Sequence, residues 1–230
     1  MFINGIDIKE LGASVSSKLI QPSEIVIEKN KIKLYSAKVS NKTYYKKMDL
    51  KLLFQGDNRD VIYKNISNFT SEISDECKIK FKNLSNEFQC YINNSSIEET
   101  GLNEWVYLNL SFDCLEIGSE VITTINRITS KTINVAGNQV TPAIVEITPS
   151  IALVDLTITG LDEDFIKIKN ITASKKIIIN GEDGTVIVDG ANKYGDTEMW
   201  SFPSLKPGVN TITVDKSSVD ITIKYKPRYI

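Results

Sequence analysis

The chain has 230 residues, of which 41% are hydrophobic and 24% are charged, and its formal net charge is −2. This composition is ordinary for a globular protein, and the near-neutral charge gives no general attraction for nucleic acid or an anionic membrane. The chain contains no histidine, which excludes nucleophile–histidine pairs and imidazole metal sites.

Alternation of apolar and polar residues is the dominant pattern along the chain. It predicts β-strands with one buried and one solvated face, and such strands pair mainly in antiparallel sheets. The alternating runs, in chain order, are residues 31–35, 48–52, 78–82, 105–112, 132–135, 211–214 and 219–225.

Residues 57–75 depart from this pattern and predict the one helix of the chain. Ile62, Ile66, Phe69 and Ile73 follow one another at spacings of four, three and four residues, which places them on one face of an α-helix. The polar residues 57–60 supply an N-cap and a negative first turn. A single helix lying on antiparallel strands indicates an α+β region.

From about residue 126 onward the pattern is of short strands separated by turn signals, with no helical stripe. The turn signals are Gly137, Gly160, Asn180-Gly181, Asp183-Gly184, Asp189-Gly190 and Pro207-Gly208. Such spacing is typical of a β-sandwich or jelly-roll-like domain. We therefore predict a fold that is mainly β with one helix, divided into an α+β domain over residues 1–125 and a β-sandwich over residues 126–230.

The three cysteines, Cys77, Cys90 and Cys114, are an odd number and lie within or near strand-like runs. The N-terminus has no basic segment followed by an apolar one, so no signal peptide is expected. These features predict reduced core thiols in a protein made in a cytoplasm.

Two acidic clusters are the remaining candidates for chemistry. Both Glu98-Glu99 and Asp162-Glu163-Asp164 could supply paired carboxylates for glycoside hydrolysis. Asp162 with Asp164 could also offer oxygen ligands for calcium. Both clusters lie in polar segments, where acidic residues are usually solvated, and no EF-hand spacing accompanies the second. We predict that the protein is not an enzyme and has no catalytic residue, cofactor or metal site.

Aromatic residues in the second half offer a candidate platform for carbohydrate binding. Tyr194, Trp200 and Phe202 are close in sequence, and sugar rings stack on aromatic faces. Alternation would place Trp200 and Phe202 on the same face of one strand, which favours core packing over sugar binding. Trp105 and Tyr107 are interpreted in the same way, as core residues.

In the first half, Tyr44 and Tyr45 precede Lys46 and Lys47. The tyrosine pair could anchor a protein interface, where tyrosine is enriched. It could equally belong to an edge strand that the lysines protect from aggregation. The sequence does not separate these two interpretations.

Five segments also carry a resemblance to a known family. In chain order they are residues 2–7 with Gly12, the helix at 61–73, the glycine turn and Thr-Pro at 135–147, the Pro-Gly turn at 203–210, and Tyr-Lys-Pro-Arg-Tyr at 225–229. In this order they resemble segments of the distal tail proteins of long-tailed bacteriophages. These are siphovirus-type tail-tip, or baseplate hub, proteins. One departure is residues 40–45, where many members have an Arg/Gly-rich strand and turn.

The resemblance implies a structural role in a virion. The N-terminal belt domain would form a homohexameric ring around a channel that continues the tail tube, and the C-terminal domain would be a galectin-like β-sandwich outside it. The implied partners are the tail tube protein, the tail-associated lysin or tail-fibre hub protein, and the tape-measure protein, with no nucleic-acid specificity and no membrane. The protein would lie at the virion tail tip. The alternative function is a carbohydrate-binding module that recognises host cell-wall glycans.

Overall fold

The computed structural model describes residues 1–32, 35–43 and 45–230, and between residues 27 and 43 it describes the backbone only. The chain forms two compact units, Met1–Ile117 with Ile230, and Gly118–Tyr229. Each unit has its own cluster of buried apolar side chains, so each has the core that defines a domain. No helix in the described ranges is long and apolar enough to cross a membrane.

The first unit is an antiparallel sheet with one α-helix, α1 (Arg59–Glu72). Its strands are β1 (Phe2–Ile3), β2 (Ile6–Asp7), β3 (Ala13–Ile20), β4 (Ile25–Ile32), β5 (Tyr35–Thr43), β6 (Lys46–Gln55), β7 (Cys77–Lys80), β8 (Glu87–Glu99) and β9 (Trp105–Ile117). Seven of them form one sheet in the order β2-β1-β7-β8-β9-β6-β3. β4 and β5 form a separate two-stranded sheet, so the described residues give this hairpin no third strand.

Helix α1 begins and packs as its sequence predicts. The Asn58 side chain caps the helix, because its Oδ1 accepts a hydrogen bond of 3.0 Å from the Val61 amide. Phe69 is fully buried, and its ring lies edge-on to that of Phe54 on β6 at a centroid distance of 5.6 Å. Ile62, like the other members of the predicted stripe, belongs to the same core. The predicted helix is confirmed, and its apolar stripe is the face that covers the sheet.

The core prediction for Trp105 and Tyr107 is wrong. From Trp105 to Cys114 of β9 the buried positions are Val106, Leu108, Leu110, Phe112 and Cys114, so the two aromatic residues lie on the opposite face. Lys51 covers the Tyr107 ring, with its Nζ 4.3 Å from the ring centroid. The alternation was correct, but it places Val106 and Leu108 on the inner face, and not Trp105 and Tyr107.

Two further strand predictions need correction. The predicted run 31–35 is not one strand, since it contains the end of β4 and the start of β5, with residues 33 and 34 outside the described part. The run 78–82 overlaps β7, which ends at Lys80. Two strands of a hairpin can share one alternating pattern, so the pattern alone does not show where one strand ends.

The second unit consists of two sheets. Its strands are β10 (Val121–Asn126), β11 (Ser130–Val135), β12 (Thr141–Pro149), β13 (Leu153–Thr159), β14 (Ile166–Ile171), β15 (Ile177–Asn180), β16 (Thr185–Val188), β17 (Ala191–Asn192), β18 (Thr197–Glu198), β19 (Ser204–Leu205), β20 (Gly208–Val214), β21 (Val219–Tyr225) and β22 (Arg228–Tyr229). One sheet has the order β10-β21-β12-β15-β16-β17, with β19 beside β12, and the other has the order β11-β20-β13-β14-β18.

The two sheets share one core, which makes the unit a β-sandwich. Val145 and Ile147 of β12 and Leu156 and Ile158 of β13 belong to the same buried cluster although they lie in different sheets. The predicted turns include Asp189-Gly190, which connects β16 to β17 with both residues at positive φ, 50° and 79°. This is the backbone conformation that two-residue hairpin turns require. The fold class predicted from the sequence is confirmed.

The boundary between the units lies earlier than residues 125/126. β10 pairs along its whole length with β21, from Val121 opposite Tyr225 to Asn126 opposite Asp220. Its residues therefore belong to the second unit, which begins at Gly118. The partner strand is almost a hundred residues away in sequence, so no local signal marks this boundary.

Candidate functional site

The acidic cluster at Glu98 and Glu99 forms surface ion pairs. Glu98 accepts a hydrogen bond of 2.8 Å from the Lys51 ammonium and one of 3.1 Å from the Asn109 amide. The Lys51 hydrogen bond holds the pKa of Glu98 below its usual value. A general acid in glycoside hydrolysis needs the opposite shift. Glu99 pairs with Arg59 at 2.7 Å, so both carboxylates have structural partners.

The second acidic cluster ties two loops together. The Asp162 carboxylate accepts hydrogen bonds from the Ser201 hydroxyl and, at 3.4 Å, from the Ser204 hydroxyl. The Ser204 amide also donates to the Leu161 carbonyl at 2.6 Å. Within the described ranges no group of three or more acidic or cysteine side chains could hold a metal ion. Asp162 thus fixes the position of the segment that carries Trp200.

Trp200 lies in a bend and not in a strand, which corrects the prediction that it shares a strand face with Phe202. Its side chain is 89% exposed, whereas Phe202 packs against the core of the sandwich. Hydrogen bonds from Ser201 and Ser204 to Asp162 fix the bend on its C-terminal side. An almost fully solvated tryptophan exposes a large apolar ring, and tryptophan is prominent among binding hot spots.

Trp200 borders a hollow of about 380 Å³, which we call the Trp200 hollow. Phe165, Glu198 and Met199 complete its lining, and Phe165 is 45% exposed. The Glu198 carboxylate accepts a hydrogen bond from Lys169, which lowers the pKa of Glu198. The hollow therefore combines two aromatic rings with an ionised carboxylate.

A second hollow, of about 360 Å³, lies beside Tyr194 and Phe202, and we call it the Tyr194 hollow. The two rings are stacked, with centroids 5.8 Å apart and planes inclined by 26°. The Asn192 Oδ1 accepts a hydrogen bond of 2.8 Å from the backbone amide of Tyr194, which holds the backbone at this residue. The three predicted aromatic residues therefore line two hollows and not one shared platform.

Sequence reasoning missed Phe165 and Met199 as neighbours of Trp200. Phe165 directly follows the acidic residues 162–164, and an aromatic residue at the end of a polar turn is a weak sign of exposure. Met199 gave no signal, because methionine packs equally well in cores and on binding surfaces. The pairing of β14 with β18, which places Lys167 opposite Glu198, brings these side chains together.

In the first unit, Tyr45 is 51% exposed and its ring centroid lies 6.3 Å from that of Tyr91. The Tyr91 hydroxyl donates a hydrogen bond of 2.7 Å to Glu76. Lys46 pairs with Glu116, while Lys47 is exposed. The neighbouring Tyr44 lies outside the described residues. The sequence did not indicate Tyr91, which is distant in the chain.

Comparison with known families decides what kind of protein this is. Residues 136–229 match the family described as siphovirus-type tail component, C-terminal domain. These residues are therefore similar to the C-terminal domain of siphovirus-type tail components. The predicted resemblance to phage distal tail proteins is thereby confirmed, and the protein is a structural component of a virion tail. No curated protein matches the chain.

Comparison with solved structures shows a likeness in fold over almost the whole chain. The fold is similar to that of SPP1 Dit, described as a paradigm of hub adsorption apparatus in phages that infect Gram-positive bacteria. The TM-score is 0.81 at 15% identity, with 99% of this chain and 98% of that chain covered. Two structures of the phage P2 baseplate in its activated conformation, with Ca and with Sr, match with TM-scores of 0.56 and 0.57 at 11% and 12% identity. Both cover 95% of this chain and 92% of the other.

Proposed function

We propose that the protein is the hub of a phage tail tip, where six copies close into a ring that joins the tail tube to the baseplate. The single observation that carries this proposal is the family match over residues 136–229. The likeness in fold to a hub protein, which includes the first unit, supports it. The first unit would be the ring-forming belt domain, and the β-sandwich would be the galectin-like domain outside the ring.

The β4–β5 hairpin is the feature of the first unit that best fits ring closure. The two strands pair over their full lengths, from Ile25 opposite Thr43 to Ile32 opposite Tyr35, without a third strand in the described residues. An isolated two-stranded hairpin is only marginally stable in water. Contact with a neighbouring copy would cover it, and a closed ring leaves no copy with an uncovered hairpin.

The remaining partners follow from a place at the tail tip. The tail tube protein would lie above the ring, the tail-associated lysin or tail-fibre hub protein below it, and the tape-measure protein within its channel. The protein would be made in the host cytoplasm and would act without catalysis. Tyr44 and Tyr45 would be interface anchors, since tyrosine is enriched at interfaces and Tyr45 is exposed.

Light scattering of the purified full chain tests the ring. Six copies of 25.7 kDa give a mass of about 154 kDa, and negative-stain images of that species are expected to show a ring with a central hole. A variant in which a short Gly/Ser linker replaces residues 25–43 is expected to be folded but monomeric. Trp200→Ala is the control that keeps the ring. A monomer at every concentration, or a ring formed by the hairpin variant, would contradict the proposal.

We also propose a second function, recognition of host cell-wall glycans at the β-sandwich. The observation that favours it is the exposed Trp200, beside Phe165 and the Glu198 carboxylate. An exposed ring with polar groups at its border can stack on a sugar and accept hydrogen bonds from its hydroxyls. Tyr194 and Phe202, whose rings are stacked on each other, would form a second contact with the glycan.

Calorimetric titration of the full chain with a panel of bacterial cell-wall glycans tests this function. Trp200→Ala is expected to weaken binding about tenfold or more, whereas Tyr45→Ala, in the other unit, is the control that keeps it. Tyr194→Ala shows whether the Tyr194 hollow contributes. Absence of heat with every glycan, or equal binding by Trp200→Ala, would exclude the Trp200 hollow as a glycan site.

A further inference from the structure

The three cysteines of the first unit lie side by side across the middle of its sheet. Cys77 on β7 is directly opposite Cys90 on β8, and Cys90 is directly opposite Cys114 on β9. All three side chains are buried, and all three are free thiols. Cys90 therefore has a cysteine neighbour on each side, and only one of the two can share a bond with it.

The distances favour the pair on β8 and β9. The Sγ atoms of Cys90 and Cys114 are 2.6 Å apart, which is only about 0.6 Å more than a sulfur–sulfur bond. Residues directly opposite in antiparallel strands have Cα atoms roughly 4.5–5.5 Å apart, within the range that disulfides adopt. Little backbone movement is therefore needed to join these two residues.

The same surroundings favour the protonated thiol at Cys77 and Cys90. The hydrogen bond with Cys114 and burial together raise the pKa of Cys90 well above its usual value, and burial raises the pKa of Cys77 to about 12. Since the thiolate is the reactive form, oxidation of the closed fold is slow. Oxidation would need a local opening of the sheet, or would occur while the chain folds.

We propose that Cys90 and Cys114 are a disulfide site that closes when the protein meets a low-molecular-weight disulfide. One cysteine sulfur attacks the reagent, forms a mixed disulfide and releases one reagent thiol. The second cysteine sulfur then attacks the mixed disulfide and releases the other thiol. Two protein thiols are oxidised, one reagent disulfide is reduced to two thiols, and the protein loses two hydrogen atoms.

The disulfide would join β8 to β9, which are two central strands of the sheet. This sheet belongs to the first unit, for which we propose ring formation. Reducing cytoplasm would keep the pair open, and release from a host would expose it to oxidising conditions. The stage at which the disulfide forms rests on the proposed tail function, but the chemistry of the site does not. Loss of the ring and loss of the disulfide are therefore separate results.

Refolding the full chain from denaturant in glutathione buffers of graded redox ratio tests the site, because access to the buried sulfurs is then not limiting. In the oxidising buffers we expect one free thiol, a mass lower by two hydrogens, a monomer band on a denaturing gel without reductant, and a peptide that joins Cys90 to Cys114. Cys77→Ser is the matched control and is expected to form the same bond. Cys114→Ser is expected to lose it.

Two results would overturn the proposal. One is the persistence of three free thiols in the most oxidising buffer, and the other is a bond between Cys77 and Cys90. Both are read on the wild-type chain by peptide mapping, so the conclusion does not depend on whether a serine variant folds. When the bond forms, thermal unfolding of the first unit is expected to shift to higher temperature relative to the reduced protein.

Discussion

Gly181 provides a sharp test of how the β-sandwich is packed around Ala143 and Pro203. Its amide donates a hydrogen bond of 3.0 Å to the Ala143 carbonyl, and the Ala143 amide donates one of 2.9 Å to the Pro203 carbonyl. A Cβ atom on residue 181 would lie 2.2 Å from the Pro203 oxygen and 2.7 Å from the Ala143 oxygen. Gly181→Ala must therefore push two backbone segments apart.

The expected cost can be worked out from these contacts. The nearer contact is more than 1 Å short of the 3.4 Å at which ordinary van der Waals contact begins. Overpacking of this kind costs about 1–3 kcal/mol, and weakening the bond between Ala143 and Pro203 adds about 0.5–1.5 kcal/mol. We expect Gly181→Ala to lower the free energy of unfolding of the second unit by about 2–4 kcal/mol. For a domain of this size that lowers its melting temperature by on the order of 10 °C.

Scanning calorimetry of the full chain measures the effect. Gly195→Ala is the matched control, because its Cβ meets nothing within 4 Å, and its effect should stay within about 0.5 kcal/mol. The transition of the first unit should be the same in both variants. If the second unit had the same melting temperature in Gly181→Ala, Gly195→Ala and the wild type, the packing of Pro203 against Gly181 would be refuted.

Three further predictions concern stability. Phe69→Ala should destabilise the first unit by about 3–5 kcal/mol in urea titration, because it removes a fully buried ring that packs on the sheet; an effect under 1 kcal/mol would contradict that packing. Asn58→Ala should cost about 1 kcal/mol through loss of the helix cap, with unchanged stability as the contrary result. Hydrogen bonds from Lys224 and Lys176 lower the pKa of Glu146 from 4.5. Its stabilising contribution is therefore full above pH 4.5 and lost as the pH falls through the lowered value. Glu146→Gln should reduce stability at pH 7 and give a shallower loss in acid, and an unchanged pH profile would exclude this role.

The regular elements were predictable because their patterns are local. The stripe from Ile62 to Ile73 specifies a helix and also the face that it buries, and the alternation at 219–225 coincides with β21. The exposure of Trp105 was not predictable from the size of its side chain. The alternation of apolar and polar residues holds equally well when the aromatic residue is exposed and the neighbouring valine is buried. Burial is decided by the neighbouring strand and not by the residue alone.

The candidate sites were less predictable because they depend on contacts distant in sequence. Trp200 was assigned to a strand, but hydrogen bonds from Ser201 and Ser204 to Asp162 hold the segment in a bend. Tyr45 meets Tyr91 through strand pairing that no short window reveals. The close approach of Cys90 and Cys114 has the same origin, because it depends on the register between β8 and β9.

The position of the protein in the particle tests the central claim most directly. Gold-labelled antibodies against the second unit, Gly118–Tyr229, would be applied to purified tails of the virion that contains this chain and imaged by electron microscopy. The account predicts label at the distal end of each tail and nowhere along the tube. Label distributed along the tube would contradict the proposed role as a hub. So would the absence of label from tails in which mass spectrometry of the same sample detects the protein.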